Sequence, residues 1–177
     1  MRIIGGQFKR KIIHVPAGLP VRPTTDKARE ALFNILANHF DFEGLKVLDL
    51  FAGTGAISAE FVSRGASRVV SVDSNQRCIM FMRQLASQLS TDTHVIVKAD
   101  VFRFLKSVKD GFDIIFADPP YDLDRMRTIP DMVFNADLIR EDGWLILEHP
   151  STIRFDDHPY FFRISQYSKV HFSFFSR

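Results

Sequence analysis

Cysteine is almost missing from this chain. The single cysteine among its 177 residues, Cys78, excludes an intramolecular disulfide framework and any zinc site built from several thiolates. The six histidines, His14, His39, His94, His149, His158 and His171, show no metal-ligand spacing, so no metal is expected. No apolar run approaches the roughly 20 residues that a membrane helix needs, which argues against a membrane partner. The opening Met-Arg-Ile-Ile-Gly-Gly has none of the marks of a signal peptide, so cytoplasm is the expected compartment. Internal repeats, low-complexity tracts and linkers are also lacking. With 46% hydrophobic and 25% charged residues, the chain fits one globular domain with enough length to bury a core.

The net charge of +2 conceals an asymmetry. Residues 1–29 carry +6, from Arg2, Lys9, Arg10, Lys11, Arg22, Lys27 and Arg29 against Asp26 alone; the remainder carries −4. A basic arm on a mildly acidic body suggests a phosphate-bearing partner such as a nucleic acid. A solvated surface segment is the plainer alternative.

Arg2-Ile3-Ile4 and Lys11-Ile12-Ile13-His14-Val15 look like two short strands about a Gly5-Gly6 turn, which makes residues 1–25 a basic hairpin arm ahead of a main unit, 26–177. Thr24 or Thr25 can N-cap a helix whose apolar face is Ala28, Ala31, Leu32, Ile35 and Leu36. Strand and helix patterns then alternate. The strands are 47–50, 69–73, 94–97, 112–117 and 144–148, and the helices are 56–63, 76–89, 101–108 and about 126–134. Such alternation predicts an α/β fold with a mostly parallel sheet and helices on both faces. Residues 155–177 carry eight aromatics. There Phe161 to Tyr167 and the alternating Val170, Phe172 and Phe174 predict a C-terminal antiparallel hairpin, with the aromatics serving as core.

Asp118-Pro119-Pro120-Tyr121 follows the apolar run Phe112–Ala117. Two prolines cannot continue a central strand, so the tetrapeptide lies just past a strand's carboxyl end, where open α/β sheets bind ligands. It offers a carboxylate, a stiff backbone with fixed carbonyls and a flat ring, a set suited to a planar group with an amino substituent. A plain strand-to-loop turn with a packed tyrosine is the alternative.

Asp49-Leu50-Phe51-Ala52-Gly53-Thr54-Gly55 occupies the first strand-to-helix turn. A dinucleotide fingerprint would place a third glycine at position 58, where this chain has Ser58. Asp49 suits a ligand with an amino group, such as the amino-acid end of S-adenosylmethionine. Asp73, ending the second strand, can accept hydrogen bonds from ribose hydroxyls. Asp100 follows the third and could meet an adenine amino group, with Val101 near the ring. Asp49, Asp73, Asp100 and Asp118 thus sit at the carboxyl ends of four successive predicted strands, along one edge of the sheet.

Together these motifs resemble a Rossmann-like class I S-adenosylmethionine-dependent methyltransferase acting on an exocyclic amine. Arg2-Ile3-Ile4-Gly5-Gly6, the run Arg22-Pro23-Thr24-Thr25-Asp26-Lys27-Ala28-Arg29-Glu30-Ala31-Leu32-Phe33-Asn34, Ser63-Arg64-Gly65-Ala66 and Glu148-His149-Pro150 are similar to the RsmD family. That resemblance covers nearly the whole chain and implies methylation of guanine N2 in 16S ribosomal RNA. The substrate would be 16S rRNA or a small-subunit assembly particle, with no obligate protein partner. The methyl donor would meet Asp49, Phe51, Gly53, Gly55, Asp73, Asp100, Val101 and Asp118. Asp118 and the Pro119 carbonyl would orient the amine, and Tyr121 would stack on the base. Arg2, Lys9, Arg10, Lys11, Arg22, Thr24 and Arg29 would face RNA. Two departures stand out: Ser58 and Ser168 replace glycines usual in the family. Ser58 is expected to alter only packing of the first helix on the sheet. His149 is expected to pack or hydrogen-bond rather than catalyse. A DNA adenine-N6 methyltransferase would use Asp-Pro-Pro-Tyr equally well, but the chain has no room for a separate target-recognition domain. A non-catalytic RNA-binding protein on the same fold is the other alternative, and the intact acid and glycine set argues against it.

Overall fold

The computed structural model describes residues 1–21 and 25–177. Seven strands form one sheet in the order β3-β2-β1-β4-β5-β7-β6. They are β1 (Lys46–Leu50), β2 (Arg68–Asp73), β3 (His94–Lys98), β4 (Phe112–Ala117), β5 (Ile139–His149), β6 (Phe161–Tyr167) and β7 (Val170–Phe175). The first five pair in parallel, and β7 runs antiparallel to both β5 and β6. The strand order reverses between β1 and β4, which is the topological switch point where such sheets open a ligand crevice.

Both faces are covered. Alternate residues of each strand point to opposite sides, so Val47, Val69, Ile114 and Phe116 share one core cluster with helices α1 (Asp26–Ala37), α2 (Ala56–Ser63) and α3 (Gln76–Gln88). Leu48, Leu50, Val70, Val72 and Ile115 share the other with α4 (Val101–Ser107) and α5 (Ile129–Asn135). Thr25 caps α1, its hydroxyl accepting from the Ala28 amide at 3.2 Å. The expected helix at 126–134 is instead a 3₁₀ turn, Met126–Thr128, followed by α5. Pro130 lacks an amide hydrogen and is tolerated only in the first turn. β5 begins five residues earlier than its apolar pattern, as an irregular extension with a register shift opposite Phe112 and Ile114. The polar Arg140-Glu141-Asp142-Gly143 carries no strand periodicity that could reveal it. Of the C-terminal aromatics, Phe172, Phe174 and Phe175 are fully buried, whereas Phe162 is exposed.

The arm is less regular than two strands. A single bridge joins Arg2 to Ile12, supported by Ile3 N–H to the Lys11 carbonyl at 3.0 Å and Ile13 N–H to the Met1 carbonyl at 2.9 Å. Ile3 and Ile13 sink into the same core as α1 and α2. Buried Glu60 of α2 fastens the arm, accepting from the Ile4 amide at 2.7 Å and the Gly5 amide at 3.3 Å. Ser63 adds a bond from the Phe8 amide to its hydroxyl at 3.0 Å and one from the Gln7 amide to its carbonyl at 2.7 Å. No helix among the described residues is long and apolar enough to cross a membrane.

Candidate active site

A cleft of about 590 Å³ opens along the carboxyl ends of the parallel strands. Asp49, Phe51, Gly53, Asp73, Asp100, Val101, Asp118, Pro119 and Tyr121 all line it. The structure brings these expected residues together because each lies at, or just past, the carboxyl end of a neighbouring parallel strand. Its wall also includes Glu148, Asn75, Cys78, Thr54 and, from the arm side, Pro20 and Val21. Five carboxyl side chains border the cleft, and no lysine or arginine does so among the described residues.

The loop after β1 is shaped by left-handed backbone. Phe51 has φ 60°, Gly53 55° and Gly55 70°. That conformation costs a residue with a side chain on the order of 1 kcal/mol, and Phe51 pays it at the cleft wall, where functional strain is commonly found. Gly55 does not line the cleft. It caps α2, and a Cβ there would lie 3.0 Å from Met82 Cγ, so its glycine allows α2 and α3 to approach. Asp73 fixes the loop with both oxygens: Oδ2 accepts from the Gly53 amide at 2.9 Å and Oδ1 from the Asn75 amide at 2.7 Å. A carboxylate has about four lone-pair positions, so each oxygen can still accept from a ligand. Asp100 N-caps α4, accepting from the Arg103 amide at 2.9 Å.

Asp49 is 1% exposed. Burial pushes its carboxyl from 3.8 up to about 7, against the hydrogen bonds from Ser58, which favour the anion. Ser58 therefore does more than pack: its amide and hydroxyl donate to Asp49 Oδ2 at 3.2 and 2.5 Å. This corrects the expectation that the departure at 58 leaves the chemical residues untouched. Burial, with Asp73 nearby, also pushes the Cys78 thiol up to about 11, which leaves it a poor nucleophile at neutral pH.

Tyr121 packs its half-buried ring against the core and donates its hydroxyl to Glu148 Oε1 at 3.3 Å. In the sequence Glu148 stands out only within Glu148-His149-Pro150, not as a cleft residue. Its signal is the same as that of Asp49: an acid within the last two residues of an apolar strand. His149, beside it, is fully buried, its two ring nitrogens bonded to the Pro150 carbonyl at 2.9 Å and to Ser173 Oγ at 2.7 Å. It is a packed, hydrogen-bonded residue.

The basic arm divides. Lys9 and Arg10 are exposed, and Arg2 is exposed with Asp26 4.0 Å away. Lys11 donates to the Gln88 carbonyl at 2.6 Å and lies 5.6 Å over the Phe8 ring. Arg29 is a correction. It is 2% exposed and bound to Asp26 at 2.9 Å, Glu60 at 3.3 Å and the Arg2 carbonyl at 2.6 Å. A guanidinium so buried and bonded joins arm to helix and does not face a polyanion. The signal was its spacing, four residues before Phe33 and seven before Leu36 on the buried side of α1. Arg22 and Thr24 lie outside the described residues.

Residues 1–176 match the family described as "Conserved hypothetical protein 95". The Bacillus subtilis (strain 168) protein YlbH is 33% identical over 153 residues, covering 84% of this chain and 82% of its own. "Ribosomal RNA small subunit methyltransferase D" of Escherichia coli (strain K12) is 32% identical over 145 residues, covering 82% and 69%. The solved structure of the Escherichia coli protein yhhF superposes with a TM-score of 0.86 at 25% identity, covering 100% of this chain and 97% of that one.

Proposed function

The chain belongs to the Conserved hypothetical protein 95 family, the RsmD-type methyltransferases, and from that premise we propose that it methylates the exocyclic N2 amine of a guanine in 16S ribosomal RNA, with S-adenosylmethionine as donor. The observation that carries this reading is the meeting of Asp118-Pro119-Pro120-Tyr121 and the strand-end acids in one cleft. The donor set fits the methyl donor: a cleft rich in carboxylates, with a glycine turn for close backbone approach, suits a ligand bearing ammonium, sulfonium and ribose hydroxyl groups. When bound, S-adenosylmethionine supplies an electrophilic methyl group on a cationic sulfur.

The protein's own work is positioning and electrostatics. Asp49 holds the donor's ammonium end, Asp73 its ribose, and Asp100 with Val101 its adenine; Phe51 and Gly53 shape the wall. Asp118 and the Pro119 carbonyl would accept hydrogen bonds from the guanine amine, directing its lone pair toward the methyl and stabilising positive charge on nitrogen; as the N–C bond forms the C–S bond would break, leaving S-adenosylhomocysteine, and the surplus amine proton would pass to Asp118 or to water. Tyr121 stacks on the base. Glu148, buried and bonded to the Tyr121 hydroxyl, supports the choice of base. The Watson–Crick edge of guanine offers donors at both N1 and N2, whereas adenine presents an acceptor at N1, and a carboxylate only accepts. Sites built around such hydrogen bonds discriminate strongly against analogues that leave them unpaired. The base enters unstacked, which loops of RNA supply cheaply, and the exposed Arg2, Lys9 and Arg10 hold phosphates beside it. The names of the relatives support ribosomal RNA as the polymer.

The test is nucleoside mass spectrometry of 16S rRNA from cells with and without the gene, complemented by the wild type or by Asp118→Ala. The reading expects one N2-methylguanosine that disappears on deletion, returns with the wild type and not with Asp118→Ala, while the purified variant still binds S-adenosylmethionine. An unchanged nucleoside profile, or loss of N6-methyladenine from DNA instead, would overturn it.

A further inference from the structure

Beneath α2 a row of buried polar side chains crosses the sheet. Ser58 Oγ lies 2.5 Å from Asp49 Oδ2 and 2.6 Å from Ser71 Oγ, and Ser71 Oγ lies 2.6 Å from His94 Nε2. Asp49 and Ser71 are register partners on adjacent strands, and His94 opens the third. All four residues are buried, the two serines completely. We infer that Ser58 and Ser71 are positioning residues which, anchored by His94, hold Asp49 as the acceptor for the ammonium group of the methyl donor. This rests on the reading above of Asp49 as the residue that meets that end of S-adenosylmethionine.

The chain has a direction. An ionised Asp49 only accepts, so Ser58 must donate to it, Ser71 to Ser58, and His94 Nε2–H to Ser71. Each hydroxyl then donates once and accepts once. His94 Nδ1, buried and without a hydrogen-bond partner among the described residues, is then a bare lone pair. The opposite direction would bury an unpaired N–H there, and orphaned buried donors are the rarer fault. Burial also lowers the His94 pKa to about 4, so the ring stays neutral and supplies one donor at fixed geometry.

The charges around Asp49 otherwise oppose its ionisation. Asp73, which closes β2, is the neighbouring charge that raises the Asp49 carboxyl; Asp118 after β4, Glu148 of β5, Asp100 at the start of α4 and the Cys78 thiol of α3 line the same cleft. Glu60 of α2 is turned toward Arg29 and Arg64. The serine chain is thus the protein's own counterweight to a buried, acid-crowded carboxyl, and it keeps an anion available for an incoming cation. A glycine at 58 would supply only the backbone donor.

The experiment is calorimetry on the full chain from pH 6 to 9, with S-adenosylmethionine and with 5′-methylthioadenosine, which lacks the amino-acid end. In Ser58→Ala, S-adenosylmethionine affinity should fall by about tenfold near pH 7, the worth of one charge-assisted hydrogen bond. It should recover as pH rises toward 9, because Asp49 now keeps its proton to higher pH. Affinity for 5′-methylthioadenosine should stay within about twofold. Ser71→Ala should move the profile the same way by less. A Ser58→Ala profile identical to wild type, or equal loss of both ligands at every pH, would overturn the inference while leaving the wild-type reading intact. Failure of the wild type to bind S-adenosylmethionine would overturn the reading on which it rests.

Discussion

Replacing Asp49 with Asn tests the electrostatics of the cleft without any ligand. In the unfolded chain Asp49 releases its proton near pH 3.8, and in the folded protein near 7. Between those values the folded state binds more protons, so this group's contribution to stability falls as pH rises. At about 1.4 kcal/mol per pH unit, the loss approaches about 4 kcal/mol by pH 8. His94 acts oppositely. Its pKa is lowered from 6.5 to about 4, so the unfolded chain binds the extra proton and stability rises with pH across that interval. In the wild type the two slopes nearly cancel from pH 4 to 6.5. Asp49→Asn keeps the side-chain shape, and its carbonyl oxygen still accepts from Ser58, so only one slope is removed. Urea unfolding followed by circular dichroism at pH 4.5, 6, 7 and 8 measures the outcome. The variant's stability relative to wild type should climb by about 3–4 kcal/mol from pH 4.5 to 8, since other titrating groups cancel in the difference. A difference constant to within about 1 kcal/mol would show that Asp49 titrates as a solvated carboxyl, and would refute the argument from burial.

Three further outcomes are expected. Gly6→Ala should loosen the arm, because the residue has φ 73° and a Cβ would lie within 1.8 Å of the Ser63 carbonyl; faster proteolytic clipping near residue 6 and a lower Tm would report it. Ser168 holds φ 59° in the β6–β7 turn, so Ser168→Gly should stabilise the fold by about 1 kcal/mol and raise Tm by about 2–4 °C; an unchanged Tm would contradict the strain assigned there. Reversing Lys9 and Arg10 to Glu should weaken RNA binding and flatten the dependence of log affinity on log salt by about 1.4, for two contacts to single strands. An unaltered slope would place the RNA surface elsewhere.

Much of the candidate cleft's lining is legible in the linear chain. An acid at or just past the end of an apolar run marks Asp49, Asp73 and Asp118, and Pro119-Pro120 mark the strand's end, because both signals are local. The places of Gly55 and Arg29 are not legible there, for the converse reason. Whether a glycine meets ligand or Met82, and whether an arginine meets solvent or Glu60, depends on partners 27 to 31 residues away. In the sequence Ser58 predicts only a packing change, because its bonds to Asp49 and Ser71 cross from helix to strand.

By itself, then, the sequence determined the alternation of strands and helices, the parallel sheet, the acids at its edge and the charge of the arm. Periodicity, chain stiffness and composition are properties of neighbouring residues. Which arginine is exposed, which carboxyl keeps its proton near neutrality and which serine serves it are set by tertiary packing. Those outcomes follow from burial and from hydrogen-bond partners, which exist only once distant segments are packed together.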